Sequence, residues 1–308
     1  MGGQHPTSRG HCLHQFRAVV EPLLNSAFDG VYDQRADEYK KVFSEENGTT
    51  RSYHEEAVLY GLGAAPVLPD GQPVTYDEGG QLYVKRYTYD VYGLAFALTQ
   101  VLVEDGEHIN IGTKYSKHLA QSMTESLETV TCNHLNRGFN SSYKGGDLVE
   151  LFSASHPVIG GVQSNLLTSA ALSQTSLEQA MIQIRQTKDS RGKAIRITPK
   201  QLIVHPSNML VAEVLLNSVL RAGTSNNDLN PIKSAGMVKS STTLSRLTSA
   251  PAWFVQTDAQ DGLKVLWRRK LKKAMEGDFE TDTIRYKSTM RFGSGWTDWR
   301  GCFGNAGV

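Results

Sequence analysis

Residues Gly112 to Gly138, GTKYSKHLAQSMTESLETVTCNHLNRG, carry Tyr115, Leu119, Met123, Leu127, Val130 and either His134 or Leu135 at steps of three to five. That spacing predicts one long amphipathic helix with a narrow apolar stripe. Thr113 reads as its N-cap, because a hydroxyl can accept one of the orphan N–H groups of the first turn. Arg137 suits the negative end of the helix dipole, and Gly138 reads as a left-handed stop. At ~1.5 Å per residue the helix is roughly 35 Å long, about twice the common length. So long a helix, with Ser and Thr on its remaining faces, fits a strut lying across a sheet; an ordinary long helix of a globular enzyme is the alternative.

The stretch before it has another texture. Arg51 to Val103 is rich in Tyr, Val and Gly. Leu68-Pro-Asp-Gly71 and Asp77-Glu-Gly-Gly80 read as turns, Pro setting φ and Gly accepting a positive φ. Leu82 to Tyr89 alternates, with Tyr83, Lys85, Tyr87 and Tyr89 on one face and Leu82, Val84, Arg86 and Thr88 on the other. A two-stranded hairpin with no purely apolar face does not stabilise itself in water. It needs a surface, supplied by its own domain or by a second copy. Phe96, Leu98, Val101 and Leu102 read as buried residues on the way to the strut.

Elsewhere, Cys12 to Phe43 reads as one or two helices, with Pro22 in a first turn or at a kink. Leu148 to Phe152 reads as a short strand, and Val158 to Leu172 as a Gly- and Ser-rich passage. A helix with stripe Leu177, Met181 and Ile184 opens at a Ser176–Gln179 capping box. Leu202-Ile-Val204 reads as a buried strand leading through Pro206 and Ser207 into a helix with stripe Leu210, Val211, Val214, Leu215 and Val219, ended by Gly223; this is an α/β layer. Thr224 to Ser249 reads as an exposed polar loop. Trp253–Gln256 and Leu263–Trp267 read as strands joined by a turn, Thr281–Phe292 as a long strand, and Gly293–Val308 as turns.

With 308 residues, 39% hydrophobic and 20% charged, the composition is that of a soluble globular protein of one large or two smaller domains. The net charge is +1, but it is unevenly spread. From Arg191 onward Lys and Arg outnumber Asp and Glu by 18 to 9. Such asymmetry fits a solvated surface, a nucleic-acid face, or two parts of one chain that meet in neighbouring copies. Cys12, Cys132 and Cys302 are far apart and form no C-x-x-C pair, so they read as free thiols of a reducing compartment. No apolar run reaches signal-peptide or membrane-span length.

Catalytic constellations are few. Gly293-Ser-Gly295 is too short for a nucleophile elbow, and Gly61-Leu-Gly63-Ala-Ala-Pro66 breaks the dinucleotide fingerprint at its third Gly. His54-Glu-Glu56 lacks the second His of a zinc motif. His205 reads as structural, Glu104, Asp105 and Glu107 as a solvated turn, and His5, His11, Cys12 and His14 as a cluster without an apolar shell. The expectation is no catalytic residue, cofactor or metal. The basic run Arg268, Arg269, Lys270, Lys272 and Lys273 has neither interleaved aromatics nor a recognition helix. It suits sequence-independent contact with phosphate, a solvated turn, or a charge-paired subunit contact.

Thr198 to Ser218, TPKQLIVHPSNMLVAEVLLNS, resembles the strand–Pro–helix of the axial (A) domain of tailed-bacteriophage major capsid proteins. Leu98–Asp105 resembles that family's approach to its spine helix, and Trp253–Asp258 its late A-domain strand. Arg291–Trp296 and Trp299–Gly307 resemble its ending, nearest to Mu-like head subunits. The resemblance implies an α+β chain of the Hong Kong 97-type fold. Residues 1–50 would form an N-terminal arm and 51–98 the extended loop (E-loop). Residues 99–165 and 280–293 would form the peripheral (P) domain with spine helix 113–137, and 166–279 and 294–308 the A-domain.

The implied function is a non-enzymatic virion shell. Hexamers and pentamers of this chain would close into an icosahedral head around double-stranded DNA, contacted without sequence preference. Portal and decoration proteins would be further partners, no membrane would be involved, and the chain would be made in the bacterial host cytoplasm. Absence of a long segment before the arm implies a separate scaffold or none. Tyr83, Arg86, Tyr87 and Tyr89 are the expected inter-subunit contacts, and the basic run the expected subunit- or DNA-facing surface. An encapsulin-like compartment and a small oligomeric α/β enzyme or binding protein are the rival readings.

Overall fold

The structure, a computed structural model, describes residues 8–33, 37–99, 101–102, 108–220, 228–278 and 283–308. Glu104, Asp105, Glu107 and the side chains of the His5–His14 cluster lie outside the described part. The chain divides into two compact units. The first comprises residues 1–37, 89–128 and 267–292, and the second 38–88, 129–266 and 293–308.

In the first unit, helix α1 (Ser8–Tyr32) runs unbroken through Pro22. After the short strand β1 (Ser44–Asn47) and the hairpin strands β2 (Tyr53–Tyr60) and β3 (Gly80–Thr88) of the second unit, strand β4 (Asp90–Thr99) returns to the first. It is followed by the long helix α2 (His108–Asn136). The buried positions of α2 in this unit are Gly112, Ser116, Leu119, Ala120, Met123, Thr124, Leu127 and Glu128, at helical spacing. That stripe lies one residue off the expected one at its start, and Tyr115 is 49% exposed. Small residues take the place of apolar ones because the neighbour comes close. Ser116 donates to the Leu24 carbonyl at 2.7 Å, and a Cβ on Gly112 would meet Leu24 and Leu98 at 3.2 Å each. Thr113 is not the N-cap; it sits inside the helix and donates to the Ile109 carbonyl. Val101 is exposed rather than buried.

Strands β10 (Leu263–Asp278) and β11 (Thr283–Trp296) follow late in the chain, and the first sheet has the order β1-β10-β11-β4. β11 pairs antiparallel with β4 from Thr283–Thr99 to Phe292–Asp90. Even-numbered residues of β11, among them Ile284, Tyr286, Met290 and Phe292, are buried, while Arg285 and Lys287 are exposed. The Tyr286 hydroxyl donates to Asn25 of α1 at 2.7 Å. The basic run therefore lies within a strand rather than in a turn.

In the second unit, strands β5 (His156–Val158) and β6 (Gly161–Gln163) form a small hairpin. Helix α3 (Gln174–Arg185) follows, then β7 (Pro199–Val204), α4 (Met209–Asn217), α5 (Pro231–Ala235), β8 (Ser240–Thr243), β9 (Trp253–Thr257) and, last, β12 (Cys302–Asn305). The sheet order is β12-β9-β7-β8, with β7 parallel to β8 and antiparallel to β9. Both faces of β7 are covered, which explains its unbroken Leu-Ile-Val run. Leu202 and Val204 share a core with Leu177, Met181 and Ile184 of α3 and with Trp253 and Phe303. Ile203 and Phe254 are buried too, and Phe254 stacks on Phe152 at 5.1 Å.

Several local expectations are corrected. Capping of α3 is by Ser173 with Ser176, not by Ser176 with Gln179. Helix α4 is entered as expected, His205 Nδ1 accepting from the Ser207 N–H at 3.1 Å. Its buried residues are Ala212 and Leu216, however, and Leu210 (71%), Val211 and Val214 face outward. Of the stretch expected as an exposed polar loop, residues 228–249 are described and hold Ile232, Val238, Leu244 and Leu247 buried, while Gly223 and residues 224–227 lie outside the described part. β9 and β10 belong to different sheets, and the Gly-rich ending supplies β12. Leu148 to Phe152 is no strand, because Leu148 has φ +63°.

The loop after α2 and the chain's end meet at a buried polar hub. His156 stacks on Trp299 at 4.5 Å and contacts Asp147 at 2.6 Å and Asn165 Oδ1 at 3.0 Å. Asn165 Nδ2 in turn reaches the carbonyls of Leu151, Trp299 and Cys302. Gly138 is not in the left-handed region. It is glycine because a Cβ there would stand 2.5 Å from the Phe152 ring, which is itself pressed by Gly304 and Phe254. Gly138→Ala is therefore expected to lower stability by about 1–3 kcal/mol through overpacking. Phe152→Leu in the same chain should return part of that loss in a chemical-denaturation double-mutant cycle.

Candidate assembly surface

The hairpin of the second unit is the feature without an obvious home. β2 and β3 pair antiparallel from Tyr53–Thr88 to Tyr60–Gly80, with an irregularity between Val58 and Leu59. Between the strands, residues 61–79 hold no regular element beyond the turn at Asp70–Gly71. Gln72 N–H donates to the Pro69 carbonyl at 3.2 Å, and Gly71 has φ +76°, so Pro69 starts the turn and Gly71 takes its strained position.

The base of the hairpin is anchored by its tyrosine face. Tyr83 donates to the Thr297 carbonyl at 3.0 Å. Thr297 gives its hydroxyl proton to Glu56, so Tyr87, 2.5 Å from the same oxygen, donates to it. Glu56 receives Lys264 Nζ at 2.9 and 3.0 Å. Lys264 is only 2% exposed and also reaches Asp261 at 3.0 Å. Burial alone would raise the Glu56 carboxyl, but the hydrogen bonds from Thr297 and Lys264 outweigh it and hold it below its ordinary value of 4.5. Burial would likewise lower Lys264, and its bonds to Glu56 and Asp261 keep it above its ordinary value. Burial raises the Tyr83 and Tyr87 hydroxyls and lowers Lys85, whose Nζ lies 4.9 Å from the Trp296 ring centre. Two glycines make room: a Cβ on Gly146 would stand 2.9 Å from the Tyr83 ring, and one on Gly295 3.0 Å from that of Tyr87.

This overturns the assignment of Tyr83, Tyr87 and Tyr89 to a neighbouring subunit. Tyr87 and Tyr89 are buried and Tyr83 half-buried within their own chain. Only Arg86 of that group stays on the surface, 3.8 Å over the Tyr53 ring and 3.6 Å from Glu55.

The tip is different. Leu59, Leu62, Val67 (92%), Leu68, Val74 and Tyr76 (96%) are all exposed. A clasp of surface charges holds its neck. Arg191 reaches both Asp77 oxygens at 2.6 and 3.2 Å and the Gly61 carbonyl at 3.2 Å. Lys193 donates to the Leu62 carbonyl at 2.6 Å, and the hydrogen bond from Arg191 holds the Asp77 carboxyl at about 2.

The basic run is divided. Lys273 is paired with Asp29 at 2.6 Å, over the Phe28 ring, so it is not an open cation. Arg269 donates to Thr289 at 3.0 Å, and Arg268 is half-buried. Lys270 and Lys272 are exposed, with no ion pair among the described residues.

A family model described as phage capsid protein matches residues 83–305. The chain belongs to the phage capsid protein family. Solved structures agree in fold. The capsid of cyanophage P-SCSP1u is 11% identical over 89% of this chain and 89% of that one, with a TM-score of 0.58. The structure of Microbacterium phage Oxtober96 is 8% identical over 87% and 90%, at 0.54. The procapsid of bacteriophage JBD30 is 15% identical over 94% and 75%, at 0.51. No curated protein matches. The fold is thus the expected Hong Kong 97 type, and the protein is a major capsid protein; identities this low do not single out the Mu-like branch.

In this capsid protein the anchor residues Glu56, Lys264 and Thr297 and the clasp residues Asp77, Arg191 and Lys193 escape a reading of the sequence. The bonds that join Glu56 to Lys264 and Thr297, Asp77 to Arg191 and Lys193 to the Leu62 carbonyl each span more than a hundred positions, and His54-Glu-Glu56 looks only like a failed zinc motif. Lys264→Met is expected to cost about 2–3 kcal/mol, since it leaves Glu56 half-buried without its cation. Because the Glu56 carboxyl is lowered on folding, its contribution is present above pH 4.5 and is lost as pH falls through its folded value. Acid unfolding of Glu56→Gln should accordingly be less steep there than that of the unaltered protein. Arg191→Ala should leave the melting temperature unchanged but speed proteolysis between Leu62 and Tyr76.

Proposed function

We propose that this capsid protein is the repeating subunit of an icosahedral head, built from its hexamers and pentamers and enclosing double-stranded DNA. The supporting observation is the tip of the hairpin, where six large apolar side chains stand in water on a segment firmly anchored at its base. Exposed apolar residues grouped in this way mark a surface that another molecule covers. The occupant in a shell is a second copy. The hairpin then serves as the E-loop, and its contribution comes from the tip rather than from the tyrosines. Residues 1–50 serve as the arm, α2 as the spine helix of the P-domain (99–165 and 280–293), and 166–279 with 294–308 as the A-domain.

Its work is physical and not catalytic. A specific interface of ~1,600 Å² is a typical stable unit, and each subunit shares several. Individually modest contacts let a misplaced copy leave, while closure multiplies them. Arg86, Arg269, Lys270 and Lys272 are the exposed cations of the expected contact set. Scaffold, portal and decoration proteins and the packaged DNA are the further partners, with synthesis in the bacterial cytoplasm and residence in the virion.

The test replaces Ala64–Tyr76 by a short Gly-Ser linker, leaving Gly63 and Asp77 in place. The expected product has an unchanged circular dichroism spectrum and melting temperature but forms no shells by negative-stain microscopy. Shells in normal yield would reject the role of the tip.

A further inference from the structure

The groups around His156 fix how many protons it carries. The side-chain amide of Asn165 has one allowed orientation. Its nitrogen reaches the carbonyls of Leu151, Trp299 and Cys302 at 2.7, 3.1 and 2.9 Å, and its oxygen accepts the Ser153 N–H at 3.0 Å. Turned over, the amide would set an oxygen against three carbonyls and an N–H against an N–H. Asn165 Oδ1 is therefore an acceptor, and His156 Nε2, 3.0 Å away, donates to it. The other ring nitrogen, Nδ1, lies 2.6 Å from Asp147 Oδ2. Two bare lone pairs at that distance repel, so a proton sits between them. Asp147 Oδ1 is occupied by the Val149 N–H at 3.3 Å. A neutral imidazole has a single N–H, so beside a carboxylate it would leave one of these two contacts without a hydrogen.

Water takes no part in this pattern, since the His156 side chain is 0% and that of Asp147 3% exposed. The Trp299 ring lies within 7° of parallel to the imidazole, and the face of an indole favours a cation. The other charged and titratable neighbours are few. Arg300, 4.3 Å from the centre of the Trp299 ring, is paired with Asp298 at 3.3 Å, whose carboxyl is raised by burial. Cys302, whose carbonyl Asn165 holds, has its thiol pushed up by burial. On the hairpin side, burial lowers the Lys85 amine and the charge of Asp147 partly offsets this. Burial, with the charges of Asp298 and Asp147, raises the Tyr83 hydroxyl. Beyond Lys85, burial holds His134 at about 4.

We infer that His156 and Asp147 hold between them one proton more than a neutral imidazole and a carboxylate carry, and that this buried proton locks the loop after α2 to the end of the chain. Written as imidazolium and carboxylate or as imidazole and carboxylic acid, the pair binds it as a unit. Its loss leaves a carboxylate facing a lone pair, out of reach of water. Gly146, next to Asp147, is the floor beneath the hairpin: a Cβ there would stand 2.9 Å from the Tyr83 ring and 3.1 Å from Lys85 Cα. The lock thus also steadies the hairpin base. Folding takes up the proton, so the stabilisation is present at lower pH and is lost as pH rises. That sense is opposite to the contribution of Glu56. The device is complete within one subunit and needs no second copy.

Two variants of the full chain test the lock. In Asp147→Asn the new amide can donate to Nδ1 of a neutral ring, while Nε2 keeps its proton for Asn165, so the bonds survive without the extra proton. His156→Gln removes the ring but leaves Asp147 beside Lys85. Folding constants are measured by chemical denaturation from about pH 7 to about pH 9. That of the parent is expected to fall more steeply than those of both variants, by up to about tenfold per pH unit, the effect of one proton. Lys85 and His134, lowered by burial, act in the opposite direction in all three proteins, so the difference between slopes is what is read. A slope left unchanged in either variant would overturn the inference; left unchanged in His156→Gln alone, it would place the proton on Lys85. Nitrogen NMR of the parent at neutral pH decides the matter should a variant not fold. No bare nitrogen is expected in the His156 ring, and a bare Nδ1 would refute the lock.

Discussion

A single buried cation governs how the hairpin can behave. Lys264 stands at the start of β10 with almost no access to water, and its charge is answered by Glu56 on β2. Glu56 takes the Thr297 proton, Thr297 takes that of Tyr87, and the strand carrying Tyr87 is thereby fixed. A charge removed from water is tolerated only when every partner is in place. The base of the hairpin consequently has one position rather than many. The tip, held only by surface charges, carries no such constraint.

The same division explains what could be read from residues alone. Elements whose burial follows their own periodicity were legible: the long helix, the stripe of α3 and the Leu-Ile-Val strand. Their faces and caps were less so. In α2 the buried line runs through Gly112 and Ser116 because α1 approaches closely, and no hydropathy pattern marks a serine as core. In α4 Leu210, Val211 and Val214 of the expected stripe point outward, and Ala212 and Leu216 point inward. Gly138 was placed correctly as an end of the helix, but for the wrong physical reason: a phenylalanine ring, not a positive φ, demands it.

The assembly surface shows the limit most clearly. Alternation identified a tyrosine face on β3, yet could not say that Thr297, Gly146 and Gly295 lie beneath it. Those contacts join positions up to 214 residues apart. Family membership, by contrast, was legible from loose patterns spread along the chain.

Helix α4 carries a consequence for the lone subunit. Leu210, Val211 and Val214 stand in water on a helix whose opposite side is fully packed. A solitary molecule can neither fold that hydrocarbon away nor shed it without unravelling the layer behind it. Solubility of the separate chain is therefore bounded by concentration. In a crowded cell, newly made molecules have a short residence as singles before adhesion, productive or otherwise, removes them.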